Sequence, residues 1–166
     1  IKTNIPFFDH MLEQLTFHSS VDLELNALGD IDIDFHHSVE DCGICLGKAF
    51  FEALGDKKGI NRYGFFLLPM DDALIRVALD FSGRSFLSWK VSFPTNSVGN
   101  FDLELVREFF NALSKNSGAT IHVEMIDGFN SHHISEAIFK GMGKSIKMAI
   151  SKNEGVDMIP STKGSL

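Results

Sequence analysis

Cysteine is scarce in this chain: Cys42 and Cys45 are the only two, spaced C-x-x-C within an apolar stretch. A thiolate zinc knuckle needs a second such pair, so that class of site is excluded. On a helix that also carries Ile44, Leu46, Ala49 and Phe50, the pair reads more simply as small buried side chains than as a redox couple. Basic residues are outnumbered 15 to 22, the net charge is -7, the pI is near 5.4, and no basic stripe runs along the sequence. Nucleic acid is therefore excluded as a partner, because phosphate neutralisation needs clustered Lys and Arg. No apolar run reaches the ~18 residues of a membrane span, and no series of charged, apolar and small residues at the start reads as a signal peptide. The expectation is a soluble cytoplasmic protein with no membrane partner. Nor is the composition that of a disordered chain: 166 residues with 44% hydrophobic and 22% charged describe one domain. A domain of this size buries roughly two-thirds of its unfolded surface.

What the chain does have in number is histidine. There are seven, and four of them form two adjacent pairs. These pairs belong to a repeat. The segment FFDHMLEQLTFHSSVDLELN recurs in pattern as LVREFFNALSKNSGATIHVE, which sets His10 opposite Glu108 and Leu23 opposite Ile121. Both copies read as helix, polar turn, strand. DFHHSVEDCGICLGKAF then returns as NSHHISEAIFKGMGKSI, with His36 and His37 opposite His132 and His133, after a loop two residues shorter. Each copy carries H-H-x-x-E. Two copies of a unit this long make a duplicated supersecondary structure, since solenoids repeat at roughly 20–50 residues and need at least three copies.

Apolar residues at three- and four-residue spacing predict helices at Asp9 to Phe17, Ser38 to Leu54, Leu103 to Ser114 and His133 to Ile150. Runs rich in Val, Ile, Leu and Phe predict strands at Gly64 to Pro69, Ala73 to Phe81 and Ser85 to Phe93. The expected class is α+β: an internally duplicated unit in which a small mixed sheet carries two helices packed on one face. A single catalytic domain, 1–166, is expected from two repeats at about 8–95 and 100–150, followed by a polar C-terminal tail, 151–166, without periodicity.

A glutamate three or four residues after a histidine shares its helix face, so His36 with Glu40, or His133 with Glu136, can hold one metal ion. Adjacent helical residues diverge by about 100°, so the two members of an H-H pair serve two different centres. Each centre can then draw on both repeats, with His10 or Glu108 as the upstream donor. Mixed imidazole and carboxylate ligation suits Mn, Fe, Co or Zn, and an octahedral set favours Mn or Fe. One H-H-x-x-E is commonplace at a helix start; the same pattern twice, below the same helix-strand unit, points to metal. Ferritin-like bundles use the reverse order on long helices and lack strands. From these residues alone three functions stay open: an enzyme of another class, a two-metal phosphoesterase, and a non-catalytic metal-dependent assembly module.

Gly141-Met142-Gly143-Lys144-Ser145 is not a P-loop, because Ile138 stands where the first glycine is required. Arg62, Arg84 and Lys163 each sit beside a turn marker and can reach a phosphate or carboxylate. Asp71 and Asp72 join two predicted strands, and at least one of them reads as a turn former.

Taken together, these residues resemble the imidazoleglycerol-phosphate dehydratase family. The resemblance runs through Phe8-Asp9-His10-Met11-Leu12 with His18, Phe35-His36-His37-Ser38-Val39-Glu40-Asp41, Met70-Asp71-Asp72-Ala73-Leu74, Ser82-Gly83-Arg84, Asn130-Ser131-His132-His133 with Glu136-Ala137, and Pro160-Ser161-Thr162-Lys163. It implies a hydro-lyase of histidine biosynthesis that converts imidazole glycerol phosphate to imidazole acetol phosphate. It also implies a homo-oligomer, a 24-subunit shell built from trimers, with two Mn2+ ions in each intersubunit active site. By matching motif, His10, His36, His37, Glu40, His132, His133 and Glu136 are the implied metal ligands, with Glu108 where some members have histidine. Arg62, Arg84, Ser161 and Lys163 are the implied phosphate contacts, Gln14 and His18 further substrate contacts, and Glu40, Glu136 and Asp71 the acid-base candidates. The family has an N-terminal strand bearing a glutamate that contacts substrate, and this sequence is expected to lack it.

Overall fold

A computed structural model of the chain describes residues 1–152, 155 and 158–164. Its elements, in order, are α1 Pro6–Ser19, α2 His36–Leu54, β1 Tyr63–Met70, β2 Ala73–Asp80, β3 Phe86–Lys90, β4 Ser97–Val98, β5 Phe101–Asp102, α3 Glu104–Ser117, β6 Thr120–Asp127 and α4 Ser131–Ile150. The main sheet has the order β1-β2-β6-β3. Its first three strands are antiparallel, and β3 runs parallel to β6. The two-residue period of β2 sends Ala73, Ile75, Val77 and Leu79 inward, where they are fully buried. Helix α4 covers β1 and β2, and α3 lies against β3, so both helices occupy one face of a mixed sheet.

The duplication is visible in how the helices meet. Helix α1 packs on α4 and α2 on α3, so each contact joins one copy of the repeat to the other. At the first contact a Cβ on Gly143 would come within 2.6 Å of the Leu15 carbonyl oxygen and 3.0 Å of the Ser19 amide. At the second, a Cβ on Gly47 would come within 2.9 Å of the Leu113 carbonyl and 3.1 Å of the Ser117 amide. These are the same three positions of the repeat with the copies exchanged. Both glycines are required because backbone meets backbone there, and any side chain would hold the helices apart.

One expected element is missing. The run after α1, read as a strand from its pattern, forms no ladder: its pairing is a single parallel bridge between Lys2 and Asn26. The backbone bonds there are from the Lys2 amide to the Leu25 carbonyl (2.9 Å) and from the Ala27 amide to the Lys2 carbonyl (3.0 Å). A strand exists only as part of a ladder, and among the described residues Lys2 alone pairs with this run.

The expected tail is partly anchored. Lys152 bridges Ile60, the Gly59 amide donates to the Met158 carbonyl, and Arg62 reaches Pro160. Residues 153, 154, 156, 157, 165 and 166 of that segment lie outside the described residues. Cys42 is buried, with its thiol pushed up to about 11 by burial, and Cys45 is exposed. A thiol held so far above its ordinary value is no nucleophile. The Gly141–Ser145 run lies inside α4, with Ser145 buried.

Candidate metal centre

His10 projects from the first turns of α1. His132 and Glu136 lie one turn apart on α4, and the close α1–α4 contact brings the three together. His132 Nε2 is 3.2 Å and His10 Nε2 3.6 Å from the same oxygen, Glu136 Oε2. Among the described residues these are the one group whose donor atoms, all within 4.8 Å of one another, could hold an ion. Adjacent vertices of an octahedron with bonds of ~2.1 Å are ~3 Å apart, so two nitrogens and a carboxylate oxygen at this spacing fit one face of a mid-row divalent cation.

The surroundings hold that face in place. Glu136 is nearly buried, and Lys140 Nζ sits 2.7 Å from its other oxygen, Oε1. Burial acts to raise the carboxyl, but the hydrogen bond and charge of Lys140, with His10 and His132 beside it, outweigh burial and hold it below its ordinary value. Oε2 is left to the imidazoles. Phe7 meets the His132 ring edge-on at 5.4 Å, and Gln14 Nε2 lies 3.5 Å from His10 Nδ1.

The neighbouring histidines turn away, as adjacent helical positions must. The rings of His132 and His133 are inclined at 83°, and those of His36 and His37 at 88°. It is His132, four residues before Glu136, that shares its face; His133 points instead to the β1–β2 turn. There His133 Nδ1 lies 2.6 Å from Asp72 Oδ1, and its Nε2 lies 3.7 Å from Asp71 Oδ2. Asp72 Oδ2 accepts from the Phe129 and Asn130 amides, at 2.6 and 2.8 Å. The His133 hydrogen bond, then these amides, hold the Asp72 carboxyl well below the usual carboxylate range. Asn130 caps α4 by accepting from the His132 and His133 amides, which fixes where the pair leaves the helix.

On α2 the arrangement repeats in a more open form. His36 Nε2 is 3.9 Å from Glu40 Oε2, His37 Nδ1 is 2.9 Å from Asp30 Oδ2, and all four side chains are exposed. The Asp34 carboxylate accepts from the His36 amide at the helix start. Glu108, half-buried on α3, joins none of these groups among the described residues. The equivalence of His10 and Glu108 by repeat position therefore does not carry over into a three-donor cluster within one chain.

Of the further expected contacts, His18 lies on α1 beside Gly143, and its buried Nδ1 has no partner among the described residues. Burial, reinforced by Lys144 and Lys140, lowers its affinity for a proton. Arg62, Arg84, Ser161 and Lys163 come together on one groove of about 560 Å³, with Tyr63 and Pro160. Arg62 is already occupied: Nε and Nη2 donate to Asp80 at 2.6 and 3.0 Å, and Nη1 donates to the Pro160 carbonyl at 2.9 Å. It braces the groove, while Arg84 and Lys163 make no side-chain hydrogen bond to another described residue. The Arg62 amide donates to the Ala149 carbonyl near the end of α4. At 1.5 Å per residue the groove is thus ~20 Å along the helix from Glu136.

Sequence reasoning missed Asp30, Asp80 and Lys140, and read Asp72 only as one of two aspartates joining the strands. Only Lys140 left a local signal, four residues after Glu136. The three aspartates act across turns or between strands.

Comparison with known proteins gives a consistent result. A family model described as imidazoleglycerol-phosphate dehydratase matches residues 3–146. A protein of that name from Cereibacter sphaeroides is 56% identical over 167 residues, covering 100% of this chain and 86% of the relative. One from a Ruegeria species is 55% identical, covering 99% and 85%. The crystal structure of imidazoleglycerol-phosphate dehydratase from Staphylococcus aureus superposes with a TM-score of 0.87 at 43% identity, over 92% of this chain and 87% of that one. The Pyrococcus furiosus structure gives 0.85 at 37% identity, over 100% and 89%.

Proposed function

This chain belongs to the imidazoleglycerol-phosphate dehydratase family, whose members are hydro-lyases, and from that premise we propose that it removes water from imidazole glycerol phosphate in histidine biosynthesis, yielding imidazole acetol phosphate. The observation that carries the metal-dependent form of this reading is the His10, His132 and Glu136 donor set. We assign it Mn2+, two ions per active site, with His36, His37, Glu40, Glu108 and His133 as the remaining ligands.

The reaction breaks the C–O bond of the hydroxyl on the carbon beside the imidazole ring and the C–H bond of the next carbon, which keeps its own hydroxyl. The resulting enol becomes a ketone, and the departing hydroxide takes a proton to leave as water. A bound metal supplies Lewis-acid polarisation of the ring. The protein's own groups do the rest. Glu136, kept ionised beside Lys140, is suited to ligation and to accepting a proton rather than donating one. Glu40 and Asp71 are exposed carboxylates within 4 Å of a histidine, and they are assigned the remaining proton transfers. His18, disfavoured as an imidazolium, presents a neutral ring to substrate. The groove holding Arg84, Lys163 and Ser161 binds the phosphate and fixes the reacting carbons by position.

The ~20 Å between Glu136 and that groove exceeds the length of a small phosphate ester. One chain's metal donors and its own phosphate groove therefore do not serve the same substrate molecule. We assign the missing half to a neighbouring copy, in a 24-subunit shell of trimers in the cytoplasm; among the described residues no helix is long and apolar enough to cross a membrane. The test combines metal content per chain, dehydration assayed with added Mn2+, and particle mass by light scattering before chelation, after it, and after metal return. Two equivalents of metal, with activity and mass restored together, are expected. A monomer that is fully active, or a protein that binds no metal under any loading condition, refutes the assignment.

A further inference from the structure

The second histidine of each pair is held at the same ring atom. His133 Nδ1 lies against Asp72 and His37 Nδ1 against Asp30, at 2.6 and 2.9 Å. The two carboxylates are not equivalents in the duplication. Asp30 precedes α2 in its own copy, where the repeat sets it opposite residues 126–128, whereas Asp72 comes from the β1–β2 turn. Two unrelated stretches of chain thus bring an acceptor to the same nitrogen of corresponding rings. The first histidine of each pair has a glutamate four residues on, on the Nε2 side, at 3.9 Å for His36 and 3.2 Å for His132.

A neutral imidazole carries one N–H, and an acceptor at Nδ1 places the hydrogen there. Nε2 is then a bare lone pair, the form a metal takes. Carboxylates in this position behind ligating histidines fix both tautomer and ring orientation. Asp72 is well built for the task, because its other oxygen is pinned by two backbone amides and its side chain is nearly buried. We propose that Asp72, and in the first copy Asp30, are positioning residues that hold His133 and His37 as Nδ1–H tautomers with Nε2 presented for metal. The inference rests on the reading that these two histidines are ligands.

The geometry supplies a selective test. In Asp72→Asn the amide oxygen can take over the Phe129 and Asn130 bonds, while the NH2 group faces His133 Nδ1 and donates to it. The hydrogen bond is reversed with the turn retained, and the Nε2–H tautomer becomes the favoured one. Solid-state 15N spectra of the metal-free protein, labelled at histidine and held near pH 8, read the tautomer directly; Mn2+ titration reads affinity. Wild-type His133 and His37 are expected as Nδ1–H. Asp72→Asn should convert His133 alone to Nε2–H, and Asp30→Asn should convert His37 alone. Mn2+ affinity should fall about ten- to hundredfold for Asp72→Asn, and by the smaller end of that range for the exposed Asp30 pair. Wild-type rings found as Nε2–H overturn the proposal without any variant. So does a converted tautomer that leaves Mn2+ affinity within twofold. His133→Ala separates the two layers: if it retains full Mn2+ affinity, the ligand reading falls and the positioning role falls with it. If it loses affinity while Asp72→Asn leaves the tautomer unmoved, the positioning role alone is refuted.

Discussion

Arg62 and Asp80 offer the sharpest stability test, because removing one partner strands the other. The Arg62 side chain is 10% exposed and that of Asp80 20%, and the pair is bidentate. Asp80→Ala removes two charge-assisted hydrogen bonds and leaves a guanidinium in a site where water has little access. Breaking a fully buried pair costs about 3–5 kcal/mol. Partial exposure of Asp80 lets water recover some of this, so about 2–3 kcal/mol is expected here. Arg62→Met removes the stranded charge together with its partner's ligand, and the double variant should be less damaged than the two singles added together, with a coupling of about 2 kcal/mol. The assay is urea denaturation at fixed protein concentration, so that the proposed assembly, which would contribute to apparent stability, is held constant. The midpoint should fall with the slope unchanged. Arg62 also donates to Pro160, so Arg62→Met should loosen the Ser161 and Lys163 side of the groove and raise KM more than it lowers kcat. A loss below 0.5 kcal/mol for Asp80→Ala, or additive singles, refutes the bracing role.

Three further outcomes are expected. Glu136 has a lowered folded pKa, so its contribution to stability is complete above the unfolded value of about 4.5 and is lost as pH falls through the folded value. Urea midpoints of metal-free wild type and Glu136→Gln should therefore differ most near neutrality and converge in acid; parallel curves count against the Lys140 pairing. His18 is also depressed, so folding disfavours its protonation and stability should decline as pH drops below about 6.5. His18→Asn should flatten that part of the profile, and an unchanged slope shows that His18 does not titrate against folding. Gly143→Ala should cost about 1–3 kcal/mol through overpacking against Leu15 and Ser19, partly offset by about 1 kcal/mol of helix propensity. Gly47→Ala should behave alike in thermal melts, and a tolerated change at either position refutes the close-contact argument.

The elements with strong internal periodicity were legible before any coordinates. All four helices and the three strands between the copies are present; α1, α2, α4 and β1 run a residue or more beyond the expected bounds, α3 is shifted towards its C-terminus, β2 stops one residue short, and β3 keeps only Phe86–Lys90 of the expected Ser85 to Phe93. Divergence of adjacent histidines followed from helix geometry alone, and the members of each pair do meet different partners, Glu136 and Asp72 for His132 and His133, Glu40 and Asp30 for His36 and His37. The run after α1 reads as a strand because its pattern reports which face is apolar, whereas a ladder depends on a partner that sequence alone does not place. Pairing His133 with Glu136 used three-residue spacing where the four-residue neighbour, His132, was closer to the same face. Asp30 and Asp80 escaped notice, and Asp72 was legible only as a strand-joining residue, because each is one acidic residue among 22, singled out only by the partner that folding brings to it. Arg62, Arg84, Ser161 and Lys163, expected as phosphate contacts from the family resemblance, are gathered by the fold on one groove across about a hundred residues of sequence.

Helix α4 carries histidine and glutamate donors near its first residue and meets the Arg62 groove near its last. It is therefore a ruler. If the groove of one copy completes the metal site of another, the repeat distance of the assembly is counted in turns of this helix, at 5.4 Å each. A one-residue insertion in its middle would move the groove by only 1.5 Å but swing it through 100° about the axis. Phase, more than length, is then what the particle cannot give up. A whole inserted turn, close to restoring that phase, should be borne better than a single residue.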